Sequence, residues 1–257
     1  MNRQAQGVVM LLLGGAILKA SLTDMYLRYV KAGLQPFLIG AGLLLVLAAI
    51  MTIWYDVRHG TTVDTECADG HDHADDDHAD EHAGHSGGGH GHREPRIGWL
   101  LIAPVLGLLL VAPPALGSYA AGQAGTALSS QRTSDFPPLP EGDPVRLSVL
   151  DYATRAIFDN GTSLGERTVQ LTGFVSLDPD GKPLLTRMIL SCCAADARPI
   201  KVGLTGSAPE GAAPDTWLEV TGTYSTQTLA DPVNGEDIPF LNVATWRPVA
   251  APKEQYE

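Results

Sequence analysis

The sequence predicts a membrane protein with three transmembrane helices in its N-terminal half and an all-β small barrel with one short helix at its C-terminal end. Three observations predict this fold class. Three long apolar stretches precede residue 122, a loop rich in histidine and aspartate separates the last two of them, and alternating apolar residues recur after residue 143. Apolar helices of about 20 residues span a bilayer, and alternation with period two is typical of β-strands.

Residues 1–55 are predicted to hold the first two transmembrane helices. The first is built on the apolar residues 7–18 between Arg3 and Lys19, a length that also fits the core of a cleaved signal peptide. The second lies in residues 32–55, a run of 24 residues without a charge. The third is predicted at 97–117, within a second uncharged run of 25 residues at 97–121. These lengths predict a multi-pass protein of the cell membrane, in contact with membrane lipid.

The loop at 56–96 concentrates the charged and metal-binding side chains of the chain. All eight histidines lie within residues 59–92, and residues 64–81 hold nine carboxylates without a Lys or Arg. This composition cannot form a packed core, so we expect a disordered loop. Imidazole and carboxylate groups ligate divalent cations, which predicts weak, multi-site metal binding with zinc as the first choice. A solvated acidic loop that binds nothing specific is the alternative. The candidate ligands are His71, His73, His78, His82, His85, His90, His92, Asp72 and Asp76.

The rest of the chain excludes several classes of function. No histidine remains outside residues 59–92, which excludes a histidine triad there. No basic patch exists to neutralise phosphates, so we expect no nucleic-acid partner. The predicted spans lack charged residues near mid-bilayer, apart from Lys19 at the margin of the first, whereas ion transporters usually carry such residues. We therefore expect neither an enzyme nor a transporter, but an accessory protein of a transporter.

A linker at 118–142, rich in Ala, Gly, Ser, Thr and Pro, is predicted to be flexible and to lead into a folded domain at 143–250. Ser148 and Asp151 form the start of a helix that resembles a capping box, and Asn160-Gly161 supplies its stop. Strands are predicted at 168–177, 184–191, 199–204, 216–225 and 240–246, the first two joined by a turn at 178–182. One helix and about five short strands predict a small barrel.

A second candidate site lies in the segment RMILSCCAADARP at 187–199. Cys192 and Cys193 follow a predicted strand, and Asp196 stands three residues further on. Two thiols and a carboxylate suit a thiolate metal site or a redox-active pair. The alternative is that one cysteine is a small buried apolar side chain, since neighbouring residues of a strand point to opposite faces. Cys67 adds one soft ligand to the histidine-rich loop.

Four segments resemble the YcgQ-type permease subunits, a family of small membrane proteins, and the resemblance covers nearly the full chain. These segments are YVKAGLQPFLIGAG at 29–42, GFVSL at 173–177, the CCAADA-containing segment at 187–199 and TWLEVTGTY at 216–224. The resemblance implies a larger polytopic permease of the YcgR type as partner and a link to metal handling. It also implies that the C-terminal domain is an OB-like barrel outside the cytoplasm, which would leave the histidine-rich loop inside.

The sequence thus favours an accessory membrane subunit of a metal-related permease. The loop would concentrate or sense the ion, and the barrel would gate, dock or receive it through Cys192 and Cys193, with Asp196 as an additional candidate. The rival hypothesis is a membrane-anchored thiol redox or assembly protein that uses the same cysteine pair.

Overall fold

The computed structural model describes residues 3–59, 107, 114–128 and 135–257. Its helices and strands follow one another along the chain in two groups, helical first and mostly β afterwards. The helices are α1 (Arg3–Leu22), α2 (Gln35–His59), α3 (Ser118–Gln123) and α4 (Val149–Phe158). The strands are β1 (Val145–Arg146), β2 (Val169–Leu177), β3 (Pro183–Ile189), β4 (Arg198–Gly206), β5 (Trp217–Ala230) and β6 (Asp237–Pro248).

The N-terminal region is helical and contains one long apolar helix. Among the described residues, Ala32–Arg58 is the one helical stretch long and apolar enough to cross a membrane, with a mean hydropathy of 2.5. Its position near the N-terminus also fits a signal sequence. The apolar part of α1, Gln6–Leu22, is shorter. The predicted third span at 97–117 lies almost entirely outside the described residues, as does most of the loop at 56–96.

Helix α4 begins and ends where the sequence predicts. The Ser148 hydroxyl accepts a hydrogen bond from the Asp151 N–H at 2.9 Å, which satisfies one of the free N–H groups of the first turn. Beyond the last turn, Asn160 and Gly161 both have positive φ angles, of 54° and 72°. Glycine adopts such angles without strain, so Gly161 lets the chain reverse toward β2.

Five strands close into a mixed β-barrel. Antiparallel pairing joins β2 to β3, β3 to β4, β5 to β6 and β2 to β5, while β4 and β6 pair in parallel. Each barrel strand therefore has two neighbours, and the sheet has no open side between β2 and β5. The two-residue strand β1 adds in parallel beside β2. The predicted hairpin between β2 and β3 is confirmed, with its turn between Leu177 and Pro183.

The barrel core is built by the apolar side chains of the alternating pattern. Val169, Leu171 and Val175 of β2 are fully buried, together with Leu185 and Val202 on the neighbouring strands. Leu177, which continues the same alternation, is 43% exposed because it stands at the end of β2 next to the turn. Helix α4 contributes Tyr152 and Ala153 to the same cluster, so the helix covers the barrel interior.

Part of the segment predicted to be a flexible linker is ordered against the barrel. Thr126, Ala127 and Leu128 are buried, and the Ala127 N–H donates to the Pro199 carbonyl at 3.0 Å. Residues 114–117, which the predicted third transmembrane helix would include, are not helical, and the Leu116 N–H donates to the Tyr256 hydroxyl at 3.0 Å. These contacts are made by single small side chains and by the backbone, which leave no periodic signal in the sequence.

Candidate metal and thiol site

The predicted second site lies in the loop between β3 and β4. Strand β3 ends at Ile189, so the cysteines no longer follow the alternation of a strand. A single turn of 3-10 helix at Ala194–Asp196 then folds the chain back. The Asp196 carboxylate accepts hydrogen bonds from the Ser191 N–H at 3.2 Å and from the Cys192 N–H at 2.9 Å. Asp196 thereby closes the loop over its own preceding residues.

This turn brings together the three side chains that the sequence singles out. The two sulfur atoms and a carboxylate oxygen of Cys192, Cys193 and Asp196 all lie within 4.8 Å of one another. In a regular strand the two thiols would point to opposite faces. Both cysteines are free thiols, Cys192 exposed and Cys193 half-buried. The alternative that one of them is a buried core side chain therefore does not fit the structure.

Hydrogen bonding within the loop controls the protonation of the thiol. The hydrogen bond with Asp196, followed by that with Cys193, raises the pKa of Cys192 to about 11. The same contacts lower the pKa of Asp196, chiefly the hydrogen bonds from the thiol and from the N–H of Cys192. At neutral pH the loop therefore pairs a protonated thiol with an ionised carboxylate. A protonated thiol is a weak nucleophile, and a metal ion would have to displace its proton.

The chemistry of this donor set fits a soft or borderline metal cation. Two thiolates suit zinc, cadmium or copper(I), and a carboxylate oxygen is a common additional zinc ligand. Three protein ligands are one fewer than a closed structural zinc site has, so a fourth position would be open to water or to a donor from another molecule. Exposure of Cys192 leaves that position accessible from solvent.

The other candidate residues lie outside the described part of the chain. They are His71, His73, His78, His82, His85, His90, His92, Asp72 and Asp76, and Cys67 belongs with them. The prediction of a metal-binding loop therefore stays a prediction.

Sequence reasoning missed a segment that touches the cysteine loop. Residues 29–31, between α1 and α2, form a β-bridge with Cys193. Residues 20–38 belong to the same compact unit as the barrel. Next to this contact lies a cavity of about 230 Å³, lined by Lys31, Leu190 and Tyr256 among others. The segment has no strand-like alternation, and a single bridge leaves no pattern by which it could be found.

The C-terminal part of the chain matches a known domain family. Residues 149–257 match the model of the DUF1980 C-terminal domain family. The match begins at α4 and includes the whole barrel with the Cys192–Asp196 loop. Comparison with curated proteins and with solved structures gave no match. The name of the matched family states a domain and no activity. The comparisons found no named relative of the YcgQ type.

Proposed function

We propose that the protein is an accessory membrane subunit of a metal-related permease and that its barrel binds a divalent metal through Cys192, Cys193 and Asp196. The observation that carries this proposal is the convergence of the three ligand atoms within 4.8 Å at an exposed loop. Zinc is the first choice, because it accepts both thiolate and carboxylate ligands.

An accessory role agrees with the composition of the helices. Residues 32–55 carry no charged side chain, and a transport pathway usually needs polar groups at mid-bilayer. A larger polytopic permease as partner would supply that pathway. In this proposal the protein is a multi-pass protein of the cell membrane, with the barrel outside the cytoplasm.

The barrel geometry supports an OB-like fold as the finer description. The strands follow the closed order β2-β3-β4-β6-β5, with one parallel pair between β4 and β6. Five-stranded Greek-key barrels of this kind bind ligands through their faces and loops. The Cys192–Asp196 loop is one of these connections, between β3 and β4. A site on such a loop can be reached by a partner protein without disturbing the barrel core.

The histidine-rich loop has a separate part in this proposal. With three spans the loop lies on the opposite side of the membrane from the barrel, so its seven histidines from His71 onward would concentrate or sense the ion on the cytoplasmic side. This role requires that the loop binds metal in the full chain.

The rival function, a membrane-anchored thiol redox or assembly protein, rests on the same two free cysteines. Thiol exchange needs a thiolate as nucleophile, and the pKa of Cys192 is raised to about 11 by its hydrogen bonds. Redox-active pairs usually carry one cysteine with a lowered pKa. The raised pKa therefore counts against disulfide exchange. A metal ion must displace the same proton, and the Asp196 carboxylate beside the two thiols is what favours metal binding.

A cadmium titration of the full-length protein in detergent tests the barrel site. Cd²⁺ stands in for zinc because its thiolate complexes absorb in the ultraviolet, and a Cys67→Ser background restricts the signal to the pair. We expect saturable absorption that Cys192→Ser and Cys193→Ser each abolish and Asp196→Ala weakens. Asp180→Ala, at an exposed aspartate outside the loop, is the matched control and should leave the titration unchanged. Absorption that persists in both serine variants would refute the barrel site.

A parallel titration tests the histidine-rich loop. Replacement of the seven histidines by glutamine should lower the number of Zn²⁺ ions bound at equilibrium, while the thiolate absorption with Cd²⁺ stays. If the zinc stoichiometry is the same as in the unaltered protein, the loop has no part in metal binding.

A further inference from the structure

The segment between α1 and α2 is bonded to the cysteine loop on both sides of Cys193. The Lys31 N–H donates to the Cys192 carbonyl at 3.1 Å, and the Ala194 N–H donates to the Tyr29 carbonyl at 2.7 Å. Val30 and Cys193 are the partners of this antiparallel bridge. The two peptide groups that flank Cys193 are therefore fixed by residues more than 150 positions earlier in the chain.

Other contacts hold the same segment in place. The Lys31 ammonium donates to the Leu190 carbonyl at 3.3 Å, and the Tyr256 hydroxyl donates to the Arg28 carbonyl at 2.8 Å. A 3-10 turn at Met25–Arg28, with Tyr26 buried, precedes the bridge. The segment thus reaches the loop as an ordered piece of chain, with polar contacts before and after Val30.

The loop conformation that gathers the ligands depends on these bonds. Cys193 is fully extended, with φ −149° and ψ 169°, directly before the 3-10 turn that carries Asp196. Asp196 fixes the loop from within through the N–H groups of Ser191 and Cys192. The bridge fixes it from outside through the carbonyl of Cys192 and the N–H of Ala194. A metal that draws the Asp196 carboxylate toward itself would weaken the inner bonds, which leaves the bridge as the remaining support.

We propose that residues 29–31 position the thiol pair for metal binding, and that a metal bound at the pair in turn stabilises the docking of residues 29–31. This inference rests on the proposed metal site. Coupling of this kind is reciprocal: a segment that raises the affinity of the site must itself be held more tightly when the site is filled. Residues 23–34 join α1 to α2. A metal bound at the barrel site would therefore stabilise the connection between the two N-terminal helices.

Lys31→Pro removes one of the two hydrogen bonds of the bridge, together with the Lys31 side chain. Lys31 has φ −60° and ψ 139°, which a proline adopts without strain, and the substitution deletes the N–H that donates to Cys192. Lys31→Ala is the matched control, because it removes the same side chain and keeps the N–H. Both are made in the full-length Cys67→Ser protein in detergent and titrated with Cd²⁺ against a competing chelator.

We expect Lys31→Pro to weaken Cd²⁺ binding about fivefold or more relative to Lys31→Ala, the effect of losing one hydrogen bond that supports the bound state. Equal affinities in the two variants would overturn the positioning role while leaving the metal site intact. Thiolate absorption that survives Cys192→Ser and Cys193→Ser would instead remove the site itself, and this inference with it.

Hydrogen exchange measures the reciprocal effect. Cd²⁺ should slow exchange of the Lys31 and Ala194 amides in the Cys67→Ser protein, and Lys31→Pro should abolish the slowing at Ala194. Amides in the core of β2, such as that of Leu171, serve as the internal control and should not respond. If Cd²⁺ saturates the thiols without any change at Lys31 or Ala194, the coupling does not exist.

Discussion

Asp231 is a buried carboxylate directly after strand β5, and its partners come from three separate parts of the chain. Its side chain is 1% exposed, and it lies 2.9 Å from the Lys201 ammonium. It also accepts hydrogen bonds from the N–H groups of Thr126 and Val233. Burial alone would raise the pKa of Asp231, but the hydrogen bonds from Lys201 and from the two N–H groups outweigh it, so the pKa is lowered. The pair thus fastens the segment around Thr126 to β4.

Lys201→Met leaves this carboxylate buried without a cation. We expect the variant to lose about 3–5 kcal/mol of unfolding free energy at pH 7, the usual cost of removing one partner of a buried ion pair. In the unaltered protein a lowered carboxyl pKa gives stability that is present above the unfolded value of about 3.9 and is lost as the pH falls through the folded value. The difference between the two proteins should therefore shrink as the pH falls toward the lowered folded pKa of Asp231, where its carboxylate takes up a proton.

Thermal unfolding of the full chain in detergent at several pH values measures this difference. Lys182→Met, at an exposed lysine in the turn after β2, is the control and should change the midpoint little at any pH. If Lys201→Met lowers the stability as much at pH 3 as at pH 7, the loss comes from packing of the aliphatic part of the lysine side chain and not from its charge.

At the cysteine loop, the sequence identified the residues and missed their arrangement. Adjacent cysteines and an aspartate three positions later mark unusual chemistry by residue type alone. Their convergence depends on the end of β3 at Ile189, the 3-10 turn at Ala194–Asp196 and the bridge to Val30. The bridge joins positions far apart in the chain, so no local pattern encodes it.

Among the elements, helix α4 receives a second N-terminal cap, in addition to Ser148, from a residue more than 100 positions later in the chain. The Glu257 carboxylate accepts hydrogen bonds from the Val149 and Leu150 N–H groups at 3.1 and 3.0 Å. It also lies 3.3 Å from Nε of Arg187, whose side chain is 9% exposed. A carboxylate at this position also interacts favourably with the positive end of the helix dipole. Glu257 therefore joins α4 to strand β3.

Glu257→Ala removes the cap and leaves Arg187 without its carboxylate. We expect a loss of about 3 kcal/mol in unfolding free energy, since a buried guanidinium loses its partner and two N–H groups lose an acceptor. Chemical unfolding of the full chain followed by tryptophan fluorescence measures it. Glu254→Ala is the matched control: Glu254 contacts Arg187 through its backbone carbonyl, which the substitution keeps. Similar losses in both variants would contradict the role of the Glu257 carboxylate.

Close packing of α1 against α2 involves three glycines, Gly7, Gly14 and Gly42, of which the last two face each other. A Cβ atom added to Gly14 would lie 3.0 Å from the Gly42 carbonyl and 2.9 Å from a methyl group of Val46. A Cβ atom added to Gly42 would meet Leu18 at 2.8 Å. Glycines of this kind let two helix backbones approach closely. Gly15 and Gly40 have no neighbour within 4 Å of such an atom and mark the outer faces.

Gly14→Leu should separate the two helices, whereas Gly15→Leu should not. Overpacking at Gly14 is expected to cost about 1–3 kcal/mol of stability. Unfolding of the full chain by titration with sodium dodecyl sulfate, followed by circular dichroism, compares the two. Because both variants replace glycine by the same good helix former, their difference isolates the helix contact. Equal midpoints would mean that the contact adds no stability.

The sequence predicted the local features of these elements better than their lengths. Helix α4 was predictable because its cap and stop are encoded by neighbouring residues. Strands β5 and β6 run on to Ala230 and from Asp237, further than the predicted 216–225 and 240–246. Their extra residues pair through the backbone, as Thr228 does with Pro239, and many of them are exposed. Polar strands of this kind lack the apolar alternation on which the prediction depends.

For the molecule as a whole, the uncharged runs predict the number of membrane crossings. Three spans would put the loop around Cys67 on the opposite side of the membrane from the barrel, as the uncharged runs at 32–55 and 97–121 predict. Among the described residues the structure supports one long apolar helix near the N-terminus. The barrel fold does not determine how many spans precede it, because the barrel and its cysteine loop would form identically on either side of the membrane.

Labelling with a membrane-impermeant maleimide on intact cells decides the arrangement. We expect a Cys67→Ser protein to be labelled at Cys192 and Cys193 from outside, and a Cys192→Ser/Cys193→Ser protein to be labelled at Cys67 only after permeabilisation. Labelling of both proteins after permeabilisation is the control that the thiols react at all, which matters because the pKa of Cys192 is raised. Outside labelling of both would contradict three spans. Outside labelling of Cys67 alone would place the barrel in the cytoplasm, where its metal site would receive ions from the interior of the cell.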